Sequence, residues 1–330
     1  MILLTGATGF LGSGIARELI ARREAFRVLV RDPSRLAFDP AANHCDVAVG
    51  DLREIESLNA ALQGVHAVIH TAALVKMWVR NRLDFARVNV DGLQNLLHAA
   101  ERAGVQRVIY TSSFIALGPS QDVNADERLR HPGRYSDAYE ESKARALQWL
   151  RAEGLRRYPL TVLLPGVIYG PGPATEGNLV GGMIEQYLAG KFPGLLGSGE
   201  QRWSFAFLPD VVNAHLAALD QGKTGEEYLL AGDNRSLNDF FRLLAALTHV
   251  QYPIRHLPFR VAKLVGGMEL LRARVFGHTP QLTPGVVEIF KHDWVYSSAK
   301  AVRDLRYRMT PLEEGLPKTL ERRNLHPVFH

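Results

Sequence analysis

The chain has 330 residues, 46% of them hydrophobic and 22% charged, which suits one elaborated α/β domain or two intimately joined ones. Its formal charge is +5, but Arg22-Arg23, Arg156-Arg157 and Arg322-Arg323 are scattered pairs without interleaved aromatics, which argues against a nucleic-acid partner. The lone Cys45 excludes an intrachain disulfide, and no run reaches the ~18 uninterrupted apolar residues of a membrane span.

Met1 to Leu4 is a short apolar run that passes straight into a glycine turn with no signal peptide, so a cytoplasmic location is expected. Strand and helix patterns then alternate, which predicts a doubly wound parallel sheet with crossover helices. The expected strands are Met1 to Leu4, Arg27 to Val30, Val47 to Val49, Ala67 to His70, Gln106 to Tyr110 and Leu160 to Leu164. Between them fall helices at Gly12 to Ala21, Ile55 to Leu62, Phe85 to Ala103 and Asp137 to Glu153. After Pro165 the pattern loosens. Pro165 to Pro173 is dense in turn formers and reads as a loop, with strand-like pieces at Trp203 to Phe207 and Glu227 to Leu230. Residues 1–165 are therefore expected to bind a dinucleotide, with a return segment near 203–232. Residues 166–330 are expected to be mainly a smaller, interleaved substrate-binding region. Leu257 to Phe276 reads as an amphipathic helix of that region, and weak surface association with a membrane is its minor reading.

Thr5-Gly-Ala-Thr-Gly-Phe-Leu-Gly12 stands between the first strand and its helix. Gly6, Gly9 and Gly12 permit a tight turn and let the backbone approach a pyrophosphate at the helix N-terminus, flanked by Thr5, Thr8, Phe10 and Leu11. The spacing is G-x-x-G-x-x-G rather than G-x-G-x-x-G. The end of the second strand meets the adenosine ribose in such folds. Here Arg31 and Arg35 suit a 2'-phosphate, so NADP(H) is favoured; the alternative is NAD(H), with both arginines solvated and Asp32 on the ribose hydroxyls. Asp51, followed by Leu52, suits either the adenine amino group or a helix N-cap.

Tyr139 and Lys143 lie four apart on a predicted helix and share a face, so the ammonium can favour the phenolate. Such a phenol trades a proton with a carbinol or carbonyl while a nicotinamide moves the hydride. Of the adjacent Ser112 and Ser113 at a strand end, only one can face that site, and the other reading of both is as caps of the strand end. His66 and His70 on one strand stand about 13 Å apart, too far for one zinc, and no metal site is expected. Arg202 suits either a substrate diphosphate or a plain strand-surface charge.

These motifs together resemble an extended short-chain dehydrogenase/reductase over nearly the whole chain. The resemblance implies that Tyr139 is the general acid/base, that Lys143 lowers its pKa and binds the nicotinamide ribose, that Ser113 polarises the substrate oxygen, and that Asn89 holds a proton-relay water. It also implies cofactor contacts from Thr71, Ala72, Ala73, Thr111, Pro165 and Val167. Within the family, Ala72-Ala-Leu-Val75, Tyr110 to Gly118, Leu164 to Gly172 and Trp294-Val-Tyr-Ser-Ser298 resemble dihydroflavonol 4-reductase-like and farnesol dehydrogenase-like proteins. A small hydrophobic alcohol or carbonyl substrate follows, with a homodimer formed by the helices around Asn89 to Ala103 and Ala138 to Leu150. The same residues serve nucleotide-sugar epimerases and dehydratases, and a third reading is a non-catalytic dinucleotide-binding assembly protein.

Overall fold

A computed structural model describes residues 1–172, 175 and 177–321. Pro173 and the Arg322-Arg323 pair lie outside the described residues. The strands are β1 (Ile2–Thr5), β2 (Phe26–Val30), β3 (Cys45–Val49), β4 (Ala67–His70), β5 (Arg107–Thr111) and β6 (Leu160–Pro165). They continue with β7 (Val167–Tyr169), β8 (Leu195–Leu196), β9 (Arg202–Phe207), β10 (Glu227–Leu230), β11 (Asp233–Ser236) and β12 (His256–Leu257). Seven of them form one parallel sheet in the order β10-β6-β5-β4-β1-β2-β3. The order reverses between β1 and β4, the position at which open α/β sheets bind ligands beyond the carboxyl ends of their strands.

Helices cover both faces, so the central strands read as continuous apolar runs. Along β1 the alternation is direct. Leu3 packs with Leu93, Leu96 and Leu97 on one face, and Ile2 and Leu4 pack with Ile15 and Val211 on the other. Each such side chain contributes about 1.5–3 kcal/mol by leaving water. Arg151 clamps the edge, donating from Nε and Nη2 to Glu227 on β10, both at 2.6 Å.

Two expectations are corrected. The turn-rich segment after Pro165 holds a strand, β7, and Trp203 to Phe207 does not enter the large sheet. Instead β9 lies between β7 and β11 in a three-stranded sheet. Missing side chains allow this: a Cβ at Gly166 would sit 2.4 Å from Ser204 O, and one at Gly232 only 1.6 Å from Phe205 O. Glu227 to Leu230, by contrast, is β10 and pairs with β6.

The two long helices are each interrupted by a π-turn. Leu83–Ala86 runs through π-helical Arg87–Asp91 into Gly92–Arg102, and Ala138–Trp149 runs through Leu150–Gly154 into Leu155–Arg157. Such turns often mark functional positions. Asn89 lies in the first of them.

Candidate active site

The glycine turn is built for close approach. Gly6 has φ +81°, where a side chain is strained, and a Cβ there would meet Thr71 Oγ1 at 2.6 Å and Ala72 N at 2.7 Å. A Cβ at Gly12 would lie 2.1 Å from Gly6 O, so helix Phe10–Ala21 can begin only with glycine at that point. The helix starts at Phe10 with Gly9 as its cap, two residues earlier than expected. No side chain caps it and no acid lies in its first turn. Its first N–H groups and the positive end of its dipole therefore suit a pyrophosphate, and the cradle fits a dinucleotide. Thr71 and Ala72 after β4 are tied to it: Thr71 Oγ1 donates to Thr5 O at 2.8 Å, and Ala72 N to Thr5 Oγ1 at 3.3 Å. The loop after β7 closes over the turn, since a Cβ at Gly172 would lie 2.8 Å from the Phe10 ring.

At the carboxyl ends of the strands the register places Thr5, His70 and Tyr110 side by side. Thr5 Oγ1 and His70 Nδ1 are 2.7 Å apart, and the imidazole stacks on Tyr110 with ring centroids 5.5 Å apart. Lys143 Nζ lies 5.5 Å from the Tyr110 ring centre and donates to Thr111 O at 3.3 Å. The Thr111 hydroxyl turns to the other face, bonded to His215 Nε2 at 2.8 Å, so only its carbonyl serves the site. Burial pulls the Lys143 amine down to about 8, and burial with Lys143 pulls His70 down to about 3, so the imidazole is neutral.

Tyr139, Ser113 and Lys143 converge here. The Ser113 side chain lies near the Tyr139 phenol and favours its ionised form. Against it, burial and the Asp137 carboxylate hold the phenol above its ordinary range. The Lys143 ammonium, expected to lower the Tyr139 pKa, is directed to Thr111 O. Ser113 also caps the short turn Phe114–Leu117 by accepting from Ile115 N at 3.4 Å, so catalytic and capping readings coexist.

Asn89 is buried and its amide is fully engaged. Oδ1 accepts from Leu74 N at 2.7 Å, while Nδ2 donates to Leu74 O at 3.1 Å and to Ser142 Oγ at 2.9 Å. Its side chain is a staple between the β4 loop and the Tyr139 helix, which leaves it no free hydrogen for a relay water.

At the second strand, Asp32 accepts from Ser34 N at 3.0 Å and Ser34 Oγ at 2.6 Å, capping the turn Pro33–Arg35. Arg31 and Arg35 are exposed beside it. Asp51 binds Arg53 through both carboxylate oxygens, at 2.9 and 2.8 Å, which with Arg31 holds its carboxyl below the usual range. It is not the helix N-cap; Glu54 is, and the helix runs Ile55–Ala61. Leu52 is buried, and a Cβ at Gly92 would lie 3.0 Å from its Cβ, so its side chain serves packing. Pro165 ends β6 and Val167 begins β7. Arg202 is occupied by Asp293 (3.2 Å) and Gln121 O (3.1 Å), which is the structural reading rather than the diphosphate one.

Sequence reasoning missed the support under Tyr139. Asp137 caps its helix, accepting from Glu140 N at 2.8 Å, and burial raises its carboxyl to about 6. Glu140 is buried, with Oε1 at 2.9 Å from His131 Nε2 and Oε2 accepting from Ser136 N at 2.6 Å. Gly133 N donates to His131 Nδ1, so Nε2 carries the hydrogen that points at Glu140. The available signal was Asp137-x-x-Glu140, a cap and acid at capping-box spacing.

The model of the NAD dependent epimerase/dehydratase family matches residues 2–231. Sterol demethylase protein B of Methylococcus capsulatus is 35% identical over 274 residues, covering 82% of this chain and 80% of that protein. A 3-beta-hydroxysteroid dehydrogenase of Mycolicibacterium neoaurum is 30% identical, covering 93% and 86%. The solved structure of gox2253 superposes with a TM-score of 0.77 at 33% identity, over 98% of each chain.

Proposed function

This chain belongs to the NAD dependent epimerase/dehydratase family, as an enzyme of the extended short-chain dehydrogenase/reductase type, and from that premise we propose that it interconverts an alcohol and a ketone or aldehyde on a hydrophobic small molecule. The observation that carries the reading is the gathering of Ser113 and the buried Tyr139 phenol, with Lys143 held on Thr111 O at the carboxyl end of β5. Tyr139 exchanges the proton with the substrate oxygen, and Ser113 donates to that oxygen. Lys143 holds the nicotinamide ribose. The glycine turn holds the pyrophosphate, and a bound nicotinamide supplies the hydride donor or acceptor.

NADP(H) is the proposed coenzyme. Asp32 is engaged in capping Ser34, which takes the natural ribose-hydroxyl partner out of play, while Arg31 and Arg35 remain exposed for a 2'-phosphate. A hydrophobic substrate is supported by the sterol and steroid in the names of the two relatives. The nucleotide-sugar reading loses its candidate anchor, since Arg202 is paired with Asp293. The proposal includes a cytoplasmic homodimer, whose mass in sedimentation equilibrium is twice 36.7 kDa. The test is turnover: purified protein oxidises NADPH with cyclic or isoprenoid ketones and aldehydes, or reduces NADP with the matching alcohols. Thermal stabilisation by UDP or TDP sugars, with none by such alcohols, counts against it.

A further inference from the structure

Helix Phe259–Phe276 buries only Ala262, Gly266 and Ala273. Gly266 sets the closeness of that contact, because a Cβ there would stand 3.0 Å from Thr283 C and 3.1 Å from Pro284 N. The opposite side is apolar and open. Val261, Leu264, Met268, Leu271 and Val275 are 45%, 66%, 52%, 63% and 66% exposed. They recur at steps of three, four, three and four, which puts all five on one helical stripe. Phe276, 77% exposed, extends it at the carboxyl end. A contiguous apolar surface of this kind marks an interaction site rather than ordinary surface.

The charges beside the stripe indicate what covers it. Arg260 and Arg274 flank it with no ion pair among the described residues. Lys263 reaches Glu288 only at 3.7 Å, and Arg272 pairs with Glu269 at 3.3 Å. Two copies of the stripe laid together would bring flanking arginines into proximity, and like charges oppose that pairing. An anionic surface attracts the same arginines. Basic residues also interrupt the helix, and no helix among the described residues is long and apolar enough to cross a membrane.

We propose that this stripe docks the protein in the plane of a bilayer surface that contains anionic lipids, its apolar side chains entering the headgroup boundary and its arginines meeting lipid phosphates. The docked face is joined to the candidate site: the following helix, Pro284–Ile289, carries Gly285, where a Cβ would lie 2.8 Å from Asp137 Cβ at the cap of the Tyr139 helix. Docking stands apart from the proposed reaction, because it rests on the outer face of a helix that holds none of the catalytic residues.

Flotation of the full chain with vesicles tests it, using phosphatidylcholine alone and phosphatidylcholine mixed with phosphatidylglycerol. The protein is expected to float with the mixed vesicles and to be released by high salt. Leu264→Glu/Leu271→Glu and, separately, Arg260→Glu/Arg274→Glu are expected to weaken partitioning by about tenfold or more. Unchanged NADPH affinity in both variants shows that they remain folded. Failure to float with either vesicle overturns the proposal, as does flotation undiminished by the stripe substitutions. A dimer in sedimentation that Leu264→Glu/Leu271→Glu disperses, with no vesicle binding, also overturns it and assigns the stripe to a second copy.

Discussion

Asn89 Nδ2 donates to Ser142 Oγ at 2.9 Å, and Ser142 Oγ in turn donates to Tyr139 O at 2.8 Å, so a π-turn in one helix fixes the neighbouring helix that carries Tyr139. Asn89→Ala removes that link and strands both polar groups of Leu74 in a partly buried loop. Leaving such groups unpaired costs about 1–3 kcal/mol. Turnover is expected to fall by roughly tenfold, with KM little changed. Urea unfolding and steady-state kinetics of N89A check both effects; a variant as stable and as active as the parent removes the staple from the account.

Asp137 acts on Tyr139 through its charge. Its carboxyl, raised to about 6, is ionised above that pH and holds the phenol up. Asp137→Asn keeps a competent helix cap and removes the charge. Alcohol oxidation needs the phenolate, so its rate declines as pH drops below the Tyr139 pKa. In D137N that acidic limb is expected to move to lower pH by about one unit. A limb that stays in place shows that the cap carboxylate does not tune the phenol.

Lys143 is a buried cation, and its removal separates catalysis from stability. The folded chain releases this proton at about pH 8 and the unfolded chain near 10.5. Between those values the unfolded state binds more protons, so stability from this group rises with pH there. Lys143→Met removes the penalty. The variant is expected to be inactive yet more stable by roughly 3 kcal/mol below pH 8, the gap closing as pH approaches 10.5. Chemical denaturation across that range measures it, and a K143M protein less stable at pH 7 contradicts it.

Arg31 and Arg35 are expected to choose the coenzyme. Replacing either with Ala should raise KM for NADPH by about tenfold or more, the worth of a charged hydrogen bond, while leaving NADH unaffected. Equal losses with both coenzymes assign the arginines to the fold of the loop instead.

The sheet and the glycine turn were legible because each follows from a local rule. Apolar runs such as Ala67 to His70 end at small residues, and Gly6 stands where the turn needs a positive φ. Strand and helix ends shifted by one to four residues, as at Phe10 and Arg157, where capping and a π-turn decide the boundary. What pattern did not reveal was long-range. Arg202 finds Asp293 91 residues away, and Thr5 finds His70 across a register that sequence does not state. β7 was hidden because Pro165, Gly166 and Gly170 read as turn formers, although the missing Cβ of Gly166 is what lets β9 approach. Spacing likewise shows that Lys143 shares a face with Tyr139 but not that the ammonium reaches for Thr111 O.

The most direct measurement is NADPH-dependent reduction of a hydrophobic ketone by Tyr139→Phe, with coenzyme affinity followed by fluorescence in parallel. On the proposed assignment the substrate oxygen receives the phenol's proton, so turnover is expected to drop by roughly 10²–10⁴-fold while NADPH binding stays within about threefold. A Y139F enzyme that turns over near the parent rate would place the proton donor elsewhere and contradict the central assignment.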